Sequence, residues 1–298
     1  AELRSVLAPV ARAEPLPKAA YADPSVFALE RVQLFDRAWL AVCHGSEVEA
    51  PGSFVKAPVT PEGILVARGA DLRLHAHYNV CRHRGALVCH ERAGRTDAFV
   101  CPYHAWRYEL TGRLSSAPGT RGLEDFRLAD RGLSPVRVEE WQGLVFVNLA
   151  ADAPPLAEAL APAPEHLGRL HLAQLRLGRR VEHEVAANWK LLIENFQESH
   201  HFRSVHPMLE RWTPFERSSS FISDGAWLGG TMELVDEAET VSLDGQRHGR
   251  PLLGGSSDLD RRRVYDYFCF PNLLLSVQPD YLLTYRIWPL APDRSRVT

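Results

Sequence analysis

Two short cysteine–histidine pairs constrain the fold of this chain more than any other feature. Cys81 and His83 have one residue between them, Cys101 and His104 have two, and seventeen residues separate the pairs. Thiolate and imidazole side chains in such close pairs are typical metal ligands. Gly85 can adopt the positive φ of a tight loop, and the apolar run before Cys101 predicts a strand. The spacing therefore predicts two hairpin loops whose tips converge on one metal centre.

The donor set indicates which metal centre this is. A [2Fe–2S] cluster of the Rieske type binds two thiolates on one iron and two imidazoles on the other, so it needs one Cys and one His from each loop. A structural zinc site is the alternative, although zinc-binding pairs usually have about two to five residues between the ligands. The single residue between Cys81 and His83 favours the cluster.

A second group of candidate ligands lies in the segment 188–207. If the segment is a helix, steps of about 100° per residue place its apolar residues and His200 on one side. Glu194, Glu198 and His201 then share the opposite stripe. We interpret His200 as a core or pocket residue, because its direction is apolar. The alternative for the charged stripe is the solvated face of an ordinary amphipathic helix.

Proline explains how two histidines five residues apart can meet. Pro207 disfavours helical geometry at His206, so we expect the helix to end between His201 and His206 and the second imidazole to turn toward the first. Two histidines and one carboxylate with open coordination positions are the ligands of non-haem Fe(II) oxygenases. The segment therefore predicts a mononuclear iron site.

Composition limits the remaining possibilities. A chain of 298 residues with 45% hydrophobic residues is large enough for two domains. A formal charge of −3 without a basic run gives no support for nucleic-acid binding. No stretch is long and apolar enough for a membrane span, and no signal-peptide pattern is present. Cys43, Cys89 and Cys269 are too few for a disulfide framework, so we expect reduced thiols and a cytoplasmic protein.

The pattern of elements predicts an α+β protein with a small all-β domain and a larger domain of helices and antiparallel strands. We place the β domain at 39–150 and the second domain at 1–38 and 151–298. We expect an extended arm over 1–23, a helix that begins at Asp23-Pro24, and a strand over 176–185. The Gly- and Ser-rich stretch 208–262 is interpreted as a long loop or lid. Strong strands follow over 264–290, with a turn at 278–280.

Taken together, the two motifs in this order resemble the α subunit of a Rieske non-haem iron oxygenase, and the likeness runs from about Tyr21 to Asp293. The resemblance implies that the two Cys and two His of the first motif hold the [2Fe–2S] cluster and that His201 and His206 hold a mononuclear Fe(II). Glu198 matches the acidic residue that bridges the two metal sites of neighbouring subunits, which implies a homotrimer. Asn195 matches a residue near the iron.

One iron ligand is missing from the pattern. In the family, the third ligand is an Asp or Glu in the C-terminal part of the chain. More residues separate it from the second histidine than lie between His206 and Thr298. Asp280 and Asp293 lie in turns that do not match the ligand position, so neither is assigned. We therefore expect the second domain to be incomplete at its C-terminal end.

The segments 270–283 and 288–294 resemble the branch that includes glycine betaine and choline monooxygenases. This implies oxidative N-demethylation of a quaternary ammonium compound with O₂; the alternative is hydroxylation or cis-dihydroxylation of an aromatic compound. Because the chain lacks a Gly-rich nucleotide fingerprint, a separate flavin-containing NAD(P)H reductase, with or without a ferredoxin, is the expected electron source. A Rieske electron carrier without oxygenase activity is the alternative from another class. Six aromatic residues are expected to shape a pocket for the cation: Trp212, Phe221, Trp227, Tyr265, Tyr267 and Tyr281.

Overall fold

The computed structural model describes residues 6, 8, 9, 12–222 and 225–298, and the chain forms two units. The first unit comprises Arg37–Ala159 and Leu172–Arg179. The second comprises Leu160–His171, Arg180–Thr298 and the described part of 1–36. The expected functional domains, 39–150 and 1–38 with 151–298, stay a prediction.

The first unit consists mainly of antiparallel strands. Seven of them form one sheet in the order β1-β10-β9-β4-β3-β2-β5, and three form another in the order β6-β7-β8. The strands are β1 Leu40–His44, β2 Ser53–Ala57, β3 Ile64–Arg68, β4 Leu74–Tyr78, β5 Ala93–Arg95, β6 Ala98–Val100, β7 Arg107–Glu109, β8 Leu114–Ser116, β9 Pro135–Trp141 and β10 Leu144–Asn148.

Local sequence explains the register in this unit. Gln142 and Gly143, with φ of 50° and 79°, connect β9 to β10 in a two-residue hairpin that requires positive φ at both positions.

Between β6 and β7, a loop carries Cys101 into the core. This core also contains Cys81, Phe54 and Tyr108, so both cysteines of the first motif are anchored in one apolar cluster.

The second unit contains a seven-stranded antiparallel sheet in the order β11-β17-β16-β15-β14-β13-β12. Its strands are β11 His183–Val185, β12 Ser218–Ile222, β13 Trp227–Glu233, β14 Arg263–Cys269, β15 Leu273–Val277, β16 Leu282–Ala291 and β17 Arg294–Val297. Apolar side chains occupy both faces of β14 and β15, as expected for strands inside a sheet that is covered on both sides.

The helices are short. They are α1 Lys18–Ala22, α2 Pro24–Glu30, α3 Leu156–Ala159, α4 Glu165–Arg169, α5 Trp189–Phe196, α6 Phe202–Val205 and α7 Pro207–Trp212. A π-helical turn, Arg31–Phe35, continues α2, and 3-10 turns occur at Gly45–Val48, Leu128–Arg131, Leu172–Gln174, Phe215–Arg217 and Asp260–Arg262. Among the described residues, no helix combines the length and the apolar composition needed to cross a membrane.

The predicted fold class is confirmed, and so are several elements. Asp23 caps α2 by accepting a hydrogen bond of 2.8 Å from the Ser25 N–H, and β14, β15 and β16 are the strands expected over 264–290. Two expectations were wrong. Only His183–Val185 of the predicted strand 176–185 is a strand, and the stretch 208–262 contains α7, β12 and β13 rather than one long loop. The expected extended arm lies partly outside the described residues, and α1 occupies part of its remainder.

Candidate metal centres

Backbone hydrogen bonds fix the loop that carries the first pair. The Cys81 N–H donates to the Ala86 carbonyl at 2.8 Å, and the Gly85 N–H donates to the Cys81 carbonyl at 3.0 Å. Gly85 has a φ of 72°, which glycine adopts without a steric cost. The turn is therefore tight enough for Cys81 and His83 to sit on the same loop tip.

The second loop has the same pattern of backbone hydrogen bonds as the first. The Cys101 N–H donates to the Trp106 carbonyl at 2.9 Å, and the Ala105 N–H donates to the Cys101 carbonyl at 3.0 Å. Ala105, at the position that corresponds to Gly85, has a φ of 57°. Alanine in this region costs about 1 kcal/mol, so the surrounding hydrogen bonds must hold it there.

The four candidate ligands divide into a buried pair and a more accessible pair. Cys81 and Cys101 are 3% and 2% exposed. Burial, followed by the proximity of the Cys81 thiol, raises the pKa of Cys101. By contrast, His83 is exposed and His104 is half-buried, and their ring centroids lie 4.5 Å apart.

This arrangement fits a [2Fe–2S] cluster of the Rieske type. Each iron of such a cluster takes two ligands from the protein, two thiolates on one iron and two imidazoles on the other. A thiol pair and an imidazole pair match that requirement.

Tyr108 is a site residue that the sequence interpretation missed. Its hydroxyl lies 3.2 Å from the Cys81 Sγ and accepts a hydrogen bond of 3.0 Å from the Arg82 N–H. Burial, and then the contact with Cys81, raises the pKa of Tyr108. The sequence contained a signal for Tyr108. It lies in β7 two residues after Trp106, and side chains two residues apart in an extended chain point to the same side, which is buried here.

The candidate iron ligands follow a well-anchored helix. Asn188 caps α5 by accepting a hydrogen bond of 3.0 Å from the Lys190 N–H, and its amide donates to the carbonyls of Tyr21 and Pro292 at 2.9 and 2.7 Å. The helix ends at Phe196. We predicted that Glu194, Glu198 and His201 lie on one face of a continuous helix. This prediction was wrong, because the backbone is no longer helical at Glu198.

Pro207 has the predicted effect. His206 has a φ of −125° and a ψ of 65°, which is not helical, and Pro207 is the first residue of α7. The bend brings the rings of His201 and His206 to a centroid distance of 5.1 Å. The structure thus brings together the two histidines that the sequence proposes as iron ligands.

Glu198 fixes the orientation of His201. Its carboxylate is bonded to the ring Nδ1 of His201 and accepts a hydrogen bond of 3.3 Å from the His201 backbone N–H. Burial alone would raise the pKa of Glu198, but the hydrogen bond and charge of His201 outweigh it and hold that pKa below its usual value. With Nδ1 occupied as a donor, Nε2 of His201 is free to bind a metal.

A cavity of about 320 Å³ adjoins the two histidines. Asn195, the other predicted site residue, lies in its wall, as do four aromatic residues. These aromatic residues are Phe196, Phe202, Tyr281 and Tyr285.

Most of the predicted aromatic residues lie elsewhere. Of the six, only Tyr281 lines this cavity. Strand alternation on β14 turns Tyr265 and Tyr267 to the opposite face of the sheet, where both contact His166. Trp227 is fully buried and donates a 2.8 Å hydrogen bond to the Leu160 carbonyl. The prediction was therefore wrong for these three residues.

Trp212 and Phe221 also lie outside the cavity wall. Trp212 belongs to an apolar cluster with Leu234 and Val264, and Phe221 is 39% exposed on β12. His200 was predicted to be a core or pocket residue. It is exposed next to Phe215, so it is not a core residue, but it lines a cleft of about 80 Å³.

Two family models match separate parts of the chain. A family model described as the Rieske [2Fe-2S] domain matches residues 38–127. A second model, described as the ring hydroxylating alpha subunit (catalytic domain), matches residues 172–298.

Named relatives extend the likeness to most of the chain. The glycine betaine monooxygenase oxygenase subunit of Pseudomonas aeruginosa is 30% identical over 95% of this chain and 72% of the relative. The N,N-dimethyl phenylurea N-demethylase subunit alpha of a Sphingobium species is 34% identical over 64% of this chain and 43% of the relative. Among solved structures, the quaternary ammonium Rieske monooxygenase CntA in complex with L-carnitine matches with a TM-score of 0.80 at 25% identity, covering 94% of this chain and 73% of that one.

Proposed function

Because this chain belongs to the Rieske non-haem iron oxygenases, as an oxygenase α subunit, we propose that it oxidatively removes a methyl group from a quaternary ammonium compound. The observation that carries this proposal is the pair His201 and His206, which lie beside a cavity with an aromatic wall. The relatives named for glycine betaine and for an N-demethylase support the substrate class.

The residues present fit the cofactors of the family, which are a Rieske [2Fe–2S] cluster and a mononuclear iron. Cys81 and Cys101 would hold one iron of the cluster, and His83 and His104 the other. His201 and His206 would hold the mononuclear iron. When bound, the cluster supplies single electrons and the Fe(II) site supplies the O₂ chemistry.

The protein groups around these ligands have defined tasks. The Glu198 carboxylate holds the Nδ1–H of His201 and so keeps that ring in one tautomer. Its side chain is 39% exposed, which leaves part of the carboxylate accessible to another copy of the chain. In a homotrimer, Glu198 would connect His201 to the exposed His83 or to His104 of the neighbouring subunit.

The reaction balances with two electrons and one O₂. A methyl C–H bond of the substrate becomes C–OH, and the second oxygen atom leaves as water after taking up two protons. The N–CH₂OH product then loses formaldehyde and a proton, and the nitrogen keeps the electron pair as a tertiary amine. The electrons come from NAD(P)H through a separate flavin-containing reductase, with or without a ferredoxin.

Product analysis tests this function. Protein loaded with both cofactors is supplied with NADH and a competent reductase, and formaldehyde release is measured with glycine betaine and L-carnitine, and with N,N-dimethyl phenylurea as an uncharged N-methyl comparison. We expect formaldehyde in proportion to the O₂ consumed with at least one of the two quaternary ammonium compounds. Diol formation from naphthalene without any formaldehyde would replace the proposal with aromatic dihydroxylation. Reduction of the cluster without oxidation of any substrate would indicate an electron carrier.

A further inference from the structure

Asp266 is an acidic residue in the wall of the cavity. One of its carboxylate oxygens lacks a hydrogen-bond partner. Asp266 lies in β14 and lines the 320 Å³ cavity together with Ser276. One carboxylate oxygen, Oδ1, is buried and has no hydrogen-bond partner, although the residue as a whole is only half-buried. A buried carboxylate without a partner is costly, so its position needs a compensating interaction.

Strand register gives the neighbours of Asp266 in the sheet. Across the sheet, it is paired with Gly230 on β13 and with Ser276 on β15, and Ser276 is paired in turn with Leu283 on β16. The side chain of Gln278 donates a 2.9 Å hydrogen bond to the Ser276 Oγ. Asp266 thus lies in the cavity wall beside Ser276, which belongs to a short polar chain.

Two other buried aspartates of the same unit show what Asp266 lacks. Asp260 is paired with Arg169 and accepts a 2.7 Å hydrogen bond from the Tyr265 hydroxyl. Asp280 accepts 2.7 Å and 2.6 Å hydrogen bonds from Arg250 and Thr240. Each therefore has a cationic partner from the protein, whereas no Lys or Arg is among the described residues that line the cavity with Asp266.

The electrostatics of the cavity therefore favour a positively charged ligand. Burial raises the pKa of Asp266 to about 7, although the hydrogen bond with Ser276 acts in the opposite direction. A cation in the cavity would favour the ionised carboxylate. The aromatic faces of Tyr281 and Tyr285 in the same wall attract cations as well.

We propose that Asp266 is the specificity-determining anion that attracts the cationic nitrogen of the substrate, an inference that rests on the proposed function. A quaternary ammonium has no N–H group, so it is bound by charge and by contact with its methyl groups rather than by hydrogen bonds. A carboxylate with an unpartnered oxygen and surrounding aromatic rings suits such a head group.

Two ligands of the same shape test this role. Glycine betaine and 3,3-dimethylbutyrate differ only in whether nitrogen or carbon carries the three methyl groups, so their affinities for the protein loaded with iron and cluster isolate the cationic charge. Wild type should bind glycine betaine more tightly. Asp266→Asn should weaken glycine betaine at least about tenfold and leave 3,3-dimethylbutyrate unchanged. Asp258→Asn, which removes an exposed carboxylate, is the charge-matched control.

Each result has a definite consequence. If Asp266→Asn keeps the wild-type preference for the cation, or weakens both ligands equally, the role of Asp266 is wrong while demethylation by wild type still supports the proposed function. If wild type neither prefers the cation nor releases formaldehyde from any methylated amine, both proposals are wrong. Asp266→Glu keeps the charge and should retain part of the preference; its complete loss in a folded protein with full iron content would also contradict the role.

Discussion

The Glu198 carboxylate is bonded to both the ring Nδ1 and the backbone N–H of His201. One side chain therefore sets the tautomer of a candidate ligand and the local turn that carries it. This contact leads to the first of five predictions.

Glu198→Gln should lower turnover about 10- to 100-fold and leave the iron and cluster contents unchanged, because an amide replaces the charged acceptor of the His201 ring. Metal analysis and coupled O₂ consumption measure the two effects. Glu216→Gln, which changes a 67% exposed carboxylate paired with Arg203, should leave turnover within about twofold. Equal losses in both variants would contradict a specific role for Glu198.

His206→Ala should remove the mononuclear iron and keep the cluster, because only the ring that turns toward His201 is lost. His200→Ala is the matched control and should retain both, since His200 is exposed and packs beside Phe215. Iron counting, together with the visible spectrum of the cluster, distinguishes the two variants. Loss of iron in the His200 variant alone would reverse the ligand assignment.

Tyr108→Phe should make the reduction potential of the cluster more negative, because it removes a hydroxyl that contacts the Cys81 sulfur. Redox titration followed by electron paramagnetic resonance measures this shift. Tyr103→Phe serves as the control, since Tyr103 lies on the second loop but is 61% exposed. An unchanged potential in the Tyr108 variant would show that the contact does not tune the cluster.

Asp260→Asn should lower the free energy of unfolding by about 2–4 kcal/mol, because Arg169 loses its charged partner next to a buried site. Urea denaturation followed by tryptophan fluorescence measures the change. Asp258→Asn removes a 99% exposed partner of Arg261 and should change stability by less than about 1 kcal/mol. A similar loss in both variants would indicate that burial of the pair is unimportant.

His77 predicts a loss of stability in acid. Desolvation lowers its pKa to about 4, below the 6.5 of an unperturbed histidine, although the bond to the Leu110 carbonyl opposes this. The folded state therefore binds fewer protons than the unfolded state between these values, and stability falls as the pH drops from about 6.5 toward 4, by at most about 3 kcal/mol.

His77→Gln should remove that part of the pH dependence, and denaturation curves of both proteins at pH 7 and pH 5 measure the difference. His183→Gln, which replaces an exposed histidine of β11, is the control and should leave the pH dependence unchanged. If wild type and the His77 variant lose the same stability between the two pH values, His77 does not titrate as proposed.

Local chemistry determines some features of this fold directly. Proline geometry was sufficient to predict the bend at His206, and strand composition was sufficient for β14 to β16. The end of α5 at Phe196 was not predictable, because helical periodicity continues through His200 without a proline or glycine to mark the break.

The prediction of which aromatic residues line the cavity was wrong for a different reason. On β14, Val264 and Phe268 are as buried as Tyr265 and Tyr267, so apolar composition does not identify the face that meets the cavity. A shift of one residue reverses the assignment of every side chain on a strand. Asp266, the polar residue between the two tyrosines, was the signal that marked the cavity face.

The cavity is built from two structural sources. His201 and His206 come from short helices and the bends between them, whereas Asp266, Ser276 and Leu283 come from neighbouring strands of one sheet. Substitutions on the sheet can alter the shape and charge offered to a substrate without moving the histidines. The residues that shape the cavity and the two candidate metal ligands can therefore change independently of each other.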